Sequence, residues 1–244
     1  AGTAKILTAL GFEALATTSA GFAFALGRRD GDPKTTLAEL LANAKAIVDS
    51  THLPVSADLE DGFGESPHAC AETIRKATFV GLVGGSIEDA TGDLENPIYP
   101  FERSVERVAA AVEAARESNF VLTARAEGFL WGRPDLDDII RRLQAFESAG
   151  ADVLYAPGLP SLDAIRTVCA SVSKPVNVVM GLKGATYTVD ELANAGVKRI
   201  SVGGGFARAA LGGFVRAARE VKELGTFTYA EEALSHAETS AFMD

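Results

Sequence analysis

Cysteine is scarce. The 244 residues hold two, Cys70 and Cys169, too few for a disulfide framework. Both fall in helix-like stretches and read as buried free thiols, so a reducing, cytoplasmic compartment is expected. Long apolar runs are missing: no window reaches ~18 uninterrupted apolar residues, which excludes a membrane span. Basic residues are outnumbered, 23 Lys and Arg against 33 Asp and Glu, for a net charge of −10. A field of that sign repels phosphate backbones, so nucleic acid is not an expected partner. It does not exclude small anions, because a local Arg or metal overrides it. The three histidines, His52, His68 and His236, are scattered and form no metal motif. The N-terminus has neither the basic nor the apolar region of a signal peptide. It runs from Ala1-Gly2-Thr3 straight into a helix-like stretch, and an upstream segment is expected to precede it.

What is present is core-forming. Hydrophobic residues make up 47% of the chain, and no linker or low-complexity stretch divides it, so residues 1–244 are expected to form one domain. Short runs rich in Val, Ile and Leu read as strands buried on both faces: Ala14–Thr18, Pro54–Asp58, Leu82–Glu88, Phe120–Arg125, Val153–Ala156, Val176–Met180 and Arg199–Val202. Helical patterns follow near 34–50, 66–79, 101–118, 135–149, 161–172, 188–195 and 205–223. An orphan helix at 3–10 reads as what remains of an eighth unit whose strand is missing from the sequence. Eight βα units in about 250 residues predict an α/β fold, the (β/α)8 TIM barrel. The alternative is an open doubly wound sheet, but no Gly-rich fingerprint follows the first strand. Beyond the barrel, a helical arm is expected at about 226–244, with its helix at Ala230–Ala241, packing on another subunit.

In a barrel the chemistry collects at the C-terminal ends of strands. Those ends read Asp58-Leu59-Glu60-Asp61-Gly62, Ser86-Ile87-Glu88-Asp89 and Thr123-Ala124-Arg125-Ala126-Glu127. Strand alternation puts Asp58 and Glu60 on one side. Acids on neighbouring strands, with oxygen donors only, describe a Mg²⁺ or Mn²⁺ site. Arg125 offers its fork to a carboxylate or phosphonate. Acids at strand ends also cap helices or pair with Arg, and for any one of them that reading stands beside the first.

These runs, with Thr17-Thr18-Ser19-Ala20-Gly21, Leu26-Gly27-Arg28-Arg29-Asp30, Pro175-Val176-Asn177-Val178 and Gly196 to Gly204, follow in order along nearly the whole chain. The set resembles the isocitrate lyase/phosphoenolpyruvate mutase superfamily. The resemblance implies a Mg²⁺-dependent barrel that makes or breaks C–C or P–C bonds beside a 2-oxo acid or its enolate. It also implies a homo-oligomer, dimer or tetramer, joined through the C-terminal helix. By match to the family pattern, Asp58, Glu60 and Glu88 are the metal-site acids, with Glu60 one methylene longer than the usual Asp. Asp30 matches the acid that holds metal-bound water, and Arg125 the substrate-carboxylate Arg. Thr18, Ser19 and Ala20 match the turn whose N–H groups bind substrate oxygens.

Departures from the pattern narrow the expectation. The lyases carry an acid/base Cys in a loop that here reads Ala90-Thr91-Gly92-Asp93-Leu94-Glu95-Asn96-Pro97, without Cys, Lys or His. The lyase Glu of the sixth strand is replaced by Ala156-Pro157-Gly158. Asn96 has the mutase-like spacing, but Leu94 stands where mutases have Lys; Asn96-Pro97 also reads as a plain turn. Gly203-Gly204-Gly205 reads either as a phosphate cradle or as a tight turn. The expected activity is mutase-, hydrolase- or decarboxylase-like on a small 2-oxo acid, with Arg125, Asn96 and Asp30 catalytic. The alternatives are a barrel that binds a 2-oxo acid without turnover, and a lyase with an unrecognised acid/base.

Overall fold

The computed structural model describes residues 1–32, 34–181 and 184–243. Seven strands form one parallel sheet in strict chain order. They are β1 (Leu15–Ala16), β2 (Val55–Asp58), β3 (Gly84–Glu88), β4 (Val121–Arg125), β5 (Val153–Tyr155), β6 (Val176–Val179) and β7 (Arg199–Ser201). Helix α1 (Gly2–Ala9) precedes β1, and α2 (Ser19–Ala25) and α3 (Leu37–Val48) lie between β1 and β2. Then α4 (Pro67–Phe79), α5 (Phe101–Arg116), α6 (Leu136–Ala149), α7 (Leu162–Ser171), α8 (Val189–Asn194) and α9 (Gly205–Arg219) each follow a strand. All seven expected strands and helices are found. Helix α2 was not expected: the Thr17–Gly21 run starts a helix, with Thr18 as its N-cap accepting from the Gly21 N–H.

Strand parity explains the layers. Val55, Ala57, Ile87, Leu122, Ala124, Leu154, Val176 and Val178 face the helices and belong to the apolar core. The alternate positions, Ser56, Asp58, Ser86, Glu88, Thr123, Arg125, Tyr155, Asn177, Arg199 and Ser201, share the other face and are polar. That polar face curls on itself. Arg199 on β7 donates to Ser56 Oγ on β2 at 3.0 Å and to Thr123 Oγ1 on β4 at 3.2 Å. In a flat sheet β2 and β7 would stand about 24 Å apart, five strand spacings. The sheet is therefore a nearly closed barrel, and the open-sheet alternative falls. Among the described residues β1 and β7 are its two edges.

The C-terminal segment departs from expectation. Helix α9 runs on through a π-helical turn, Glu220–Leu224, and stops at Gly225 in the left-handed region. A short 3₁₀ turn (Thr228–Glu231) and α10 (His236–Ala241) replace the single helix expected at Ala230–Ala241. The break has a local cause: Ser235 and Glu238 form a capping box, so the helix begins there. The arm's tip returns to its own chain, where Lys5 Nζ donates to the Met243 carbonyl. Asp244, the last residue of the expected arm, lies outside the described residues. Of the two thiols Cys70 is buried, whereas Cys169 is only half-buried.

Candidate active site

The C-terminal ends of β2, β3 and β4 gather around one guanidinium. Arg125 pairs with Asp58 through Nη1 at 2.9 Å, with Glu88 through Nη2 at 3.2 Å and with Glu127 through Nε at 2.8 Å. Its Cζ lies 5.0 Å from the centroid of the Tyr155 ring. Ser19, the first residue of α2, donates to Asp58 Oδ2 from its Oγ at 2.9 Å and its backbone N–H at 3.3 Å. The expected small-hydroxyl turn thus reaches the acids as a helix start.

Glu60 is near Asp58 for a reason other than strand alternation. β2 ends at Asp58, and Glu60 sits in the turn beyond it with φ at 49°. A non-glycine residue in that region is strained by about 1–2 kcal/mol. The turn is held by Glu88 N–H donating to Glu60 O at 3.0 Å, and by buried Arg107 donating to the carbonyls of Asp61 and Gly64. Gly62 cannot be replaced freely: its φ is +88°, and a Cβ there would meet Cys70 Sγ at 2.9 Å.

Burial, and after it the crowding of like charge, shifts the acids. Burial, then the charges of Asp58, Asp61 and Asp30, push the Glu60 carboxyl up to about 7, against the pull of Arg125. Burial raises Glu88 well above the usual carboxylate range, with Arg125 opposing. Burial also raises Glu127. Asp30 is raised by burial and then by the charge of Asp58, with hydrogen bonds to Gly31 and Ser19 opposing.

The loop after β3 is pinned at its base and free at its tip. Ala90 and Ile98 form an antiparallel bridge, and Tyr99 N–H donates to Asp89 O at 2.9 Å. The buried Asp89 carboxylate accepts from Glu127 N–H at 2.8 Å and from Arg142 at 3.2 Å. Asn96 is exposed at the tip, with its amide 3.4 Å from Asp93 Oδ2. Asn96 therefore bonds within its own loop rather than to the acid cluster. Gly203–Gly205 makes a tight turn into α9, and Gly204 comes close to Ala20: a Cβ on it would lie 3.5 Å from that of Ala20.

So Asp30, Asp58, Glu60, Glu88, Arg125 and Ser19 converge, with Thr18 and Ala20 flanking Ser19. Asp58 and Glu88, with Glu127, converge on Arg125; among the described residues Glu60 and Asp30 make no ion pair with it. Among the described residues no three acid, His or Cys side chains are arranged as a ready metal cage. Sequence reading placed Glu127 at the end of its strand without a role, and it missed Tyr155, Asn177 and Arg199. Strand parity is the signal that finds the last three, since each is a register neighbour of the next or of Arg125. Asn177 is notable because its buried Oδ1 has no partner.

Residues 1–222 match the family model described as phosphoenolpyruvate phosphomutase. The chain belongs to that family. A solved Burkholderia cenocepacia J2315 chain, described provisionally as a lyase/mutase, superposes with a TM-score of 0.96 at 54% identity, over 99% of this chain and 86% of the other. The 2-methylisocitrate lyase of Escherichia coli (strain K12) is 32% identical over 171 residues, 67% of this chain and 57% of that protein. The oxaloacetate decarboxylase of Bradyrhizobium diazoefficiens is 29% identical over 154 residues, 60% of this chain and 52% of that protein. The phosphomutase-family chain thus spans little more than half the length of these two curated relatives. Among its described residues no helix is long and apolar enough to cross a membrane.

Proposed function

We propose that this phosphomutase-family chain is a Mg²⁺-dependent enzyme that cleaves or rearranges a C–C or P–C bond in a small 2-oxo acid or its phosphonate relative. Oxaloacetate decarboxylase, phosphonopyruvate hydrolase and phosphoenolpyruvate mutase are the nearest chemical types. One observation carries the reading: five carboxylates, Asp30, Asp58, Glu60, Glu88 and Glu127, gather about one cation, Arg125. Such a cluster fits a hard divalent cation, and its donors are oxygen only. Asp58, Glu60 and Glu88 would hold Mg²⁺, or Mn²⁺ in its place, with Asp30 holding a water beside it. The bound ion supplies charge stabilisation for a developing enolate.

The chain's own residues do the rest. Arg125 receives the substrate carboxylate, exchanging one of its three internal partners for it. Ser19 offers an N–H and a hydroxyl at the start of α2, flanked by Thr18 and Ala20, for a second substrate oxygen. Asn96 is the loop residue that meets substrate on closure. Cleavage of isocitrate or 2-methylisocitrate is disfavoured, because Asp93, Leu94 and Glu95 offer no Cys, Lys or His and two of them repel a polyanion. The resemblance to lyases extends to the barrel and not to this loop.

The same reading includes a homo-oligomer in the cytoplasm. α9 buries none of its side chains, and Phe206, Leu211 and Phe214 stand exposed along it, followed by Leu224 in the π-helical turn and by Phe227 and Leu234 in the arm. A second copy of the chain is the proposed cover. Thermal shift with Mg²⁺ and oxalate, an enolate mimic, tests the site: the unmodified protein is stabilised and Asp58→Ala is not. An equal shift in both sinks the metal-site assignment. Turnover on oxaloacetate, phosphonopyruvate and phosphoenolpyruvate then names the substrate, and rapid release of pyruvate from 2-methylisocitrate, or of glyoxylate from isocitrate, would overturn the reading of the loop.

A further inference from the structure

The proposed chemistry generates a carbanion equivalent and needs a proton for it, yet the loop that supplies one in the lyases has none to give. Another group inside the barrel does. Tyr155 ends β5 in register with Arg125 on one side and Asn177 on the other, so its side chain shares the polar inner face with both. It is 9% exposed. Among the described residues its hydroxyl has no hydrogen-bond partner, and it is not one of the sealed, unpartnered atoms. A buried ring whose hydroxyl is neither bonded nor sealed keeps that O–H free to donate. Its ring lies under the Arg125 guanidinium at 5.0 Å, where the substrate carboxylate would dock.

We infer that Tyr155 is the proton donor of this site, a catalytic residue whose phenol O–H protonates the enolate carbon left when the C–C or P–C bond of the 2-oxo acid breaks. The inference rests on the 2-oxo acid reading above. In the step, the enolate π pair forms a new C–H bond at C3, the phenolic O–H bond breaks, and C2 returns to a ketone. The phenolate is left beside Arg125, and water from the mouth returns the proton. No oxidant or second substrate is needed. Burial holds the phenol above its ordinary range against the pull of Arg125, so the donor stays loaded at neutral pH. The position also accounts for the missing loop acid. The proton comes from the end of β5, and the exposed loop tip need only cover the site.

Two readouts on the full chain with Mg²⁺ test this: oxalate affinity by calorimetry, and exchange of the pyruvate methyl protons in D₂O by NMR. The unmodified protein should bind oxalate and exchange pyruvate. Tyr155→Phe, which keeps the ring under Arg125, should bind oxalate within about threefold while exchange falls by ~10²–10⁴-fold, the usual contribution of a positioned acid/base. Exchange in the Phe variant within threefold of the unmodified rate overturns the role of Tyr155 and leaves the 2-oxo acid reading intact. An unmodified protein that neither binds oxalate nor exchanges pyruvate overturns that reading and the role of Tyr155 with it. Unchanged melting temperature of Tyr155→Phe in ligand-free buffer verifies that the variant is folded.

Discussion

Helices α6 and α9 are matched in length and both are amphipathic, yet they end up differently. α6 drives Ile139, Leu143 and Phe146 into the core, each at most 1% exposed. α9 buries nothing, and its Phe214 is 70% exposed. The sequence pattern of an apolar stripe is the same; what differs is the surface on offer. α6 lies between α5 and α7 over the β4–β5 part of the sheet, whereas α9 follows the edge strand β7, beyond which no strand pairs among the described residues. An apolar stripe commits a helix to burial, but does not say whether its own chain supplies the partner.

The contrast can be broken in order of effect. Phe146→Ala should destabilise the fold by ~3–5 kcal/mol, read as a fall in denaturation midpoint. Phe214→Ala should change monomer stability by less than ~0.5 kcal/mol, as an exposed site does. Phe214→Glu should instead lower the mass seen by light scattering. A Phe214→Glu protein that keeps the assembly of the unmodified one would leave α9 without its proposed partner.

Charge sharpens the same lesson at the mouth. The Glu60 carboxyl sits at about 7, so the folded chain holds a proton that the unfolded chain releases near its ordinary 4.5. Stability from that proton is present below about 4.5 and is lost as pH rises through about 7. Without metal, Glu60→Gln should therefore be more stable than the unmodified protein at pH 8 by about 1–2 kcal/mol after solvent screening, and no different near pH 4. Equal thermal midpoints at pH 8 would contradict the crowding. On the surface the sign reverses. Arg28 and the cap of Thr36 hold Glu39 down to about 2, so its contribution is present above the ordinary 4.5 and is lost as pH falls toward 2. Glu39→Gln should show a small deficit at pH 7 that closes by pH 2.

Strand order was legible because buried parallel strands and capped helices each leave a short local signal, as at Ser161 before α7 and Gly150 after α6. The site was legible only where local spacing carried it. Asp58, Glu88 and Arg125 sit on strand ends. Glu60 arrives through a left-handed turn, and Ser19 through a helix that starts at a Thr cap. Neither can be read from alternation. Tyr155 lies in a strand of three residues, Val-Leu-Tyr, too short for alternation to assign its face; its register beside Arg125 places it on the inner one. The arm was misread because Ala-rich periodicity runs through Leu234, where backbone geometry breaks it.

The guanidinium of Arg199 also bears on how the barrel comes together. It ties the last strand to residues 76 and 143 positions earlier in the chain. Contacts of such sequence separation can form only after the intervening chain has been ordered, and closing long loops is slow. Arg199 should accordingly act late, as a latch set after the β2–β5 wall exists. Arg199→Met would then speed unfolding severalfold and leave refolding almost unchanged, the signature of a contact absent from the transition state. The barrel's lifetime, more than its rate of formation, is what this one side chain governs.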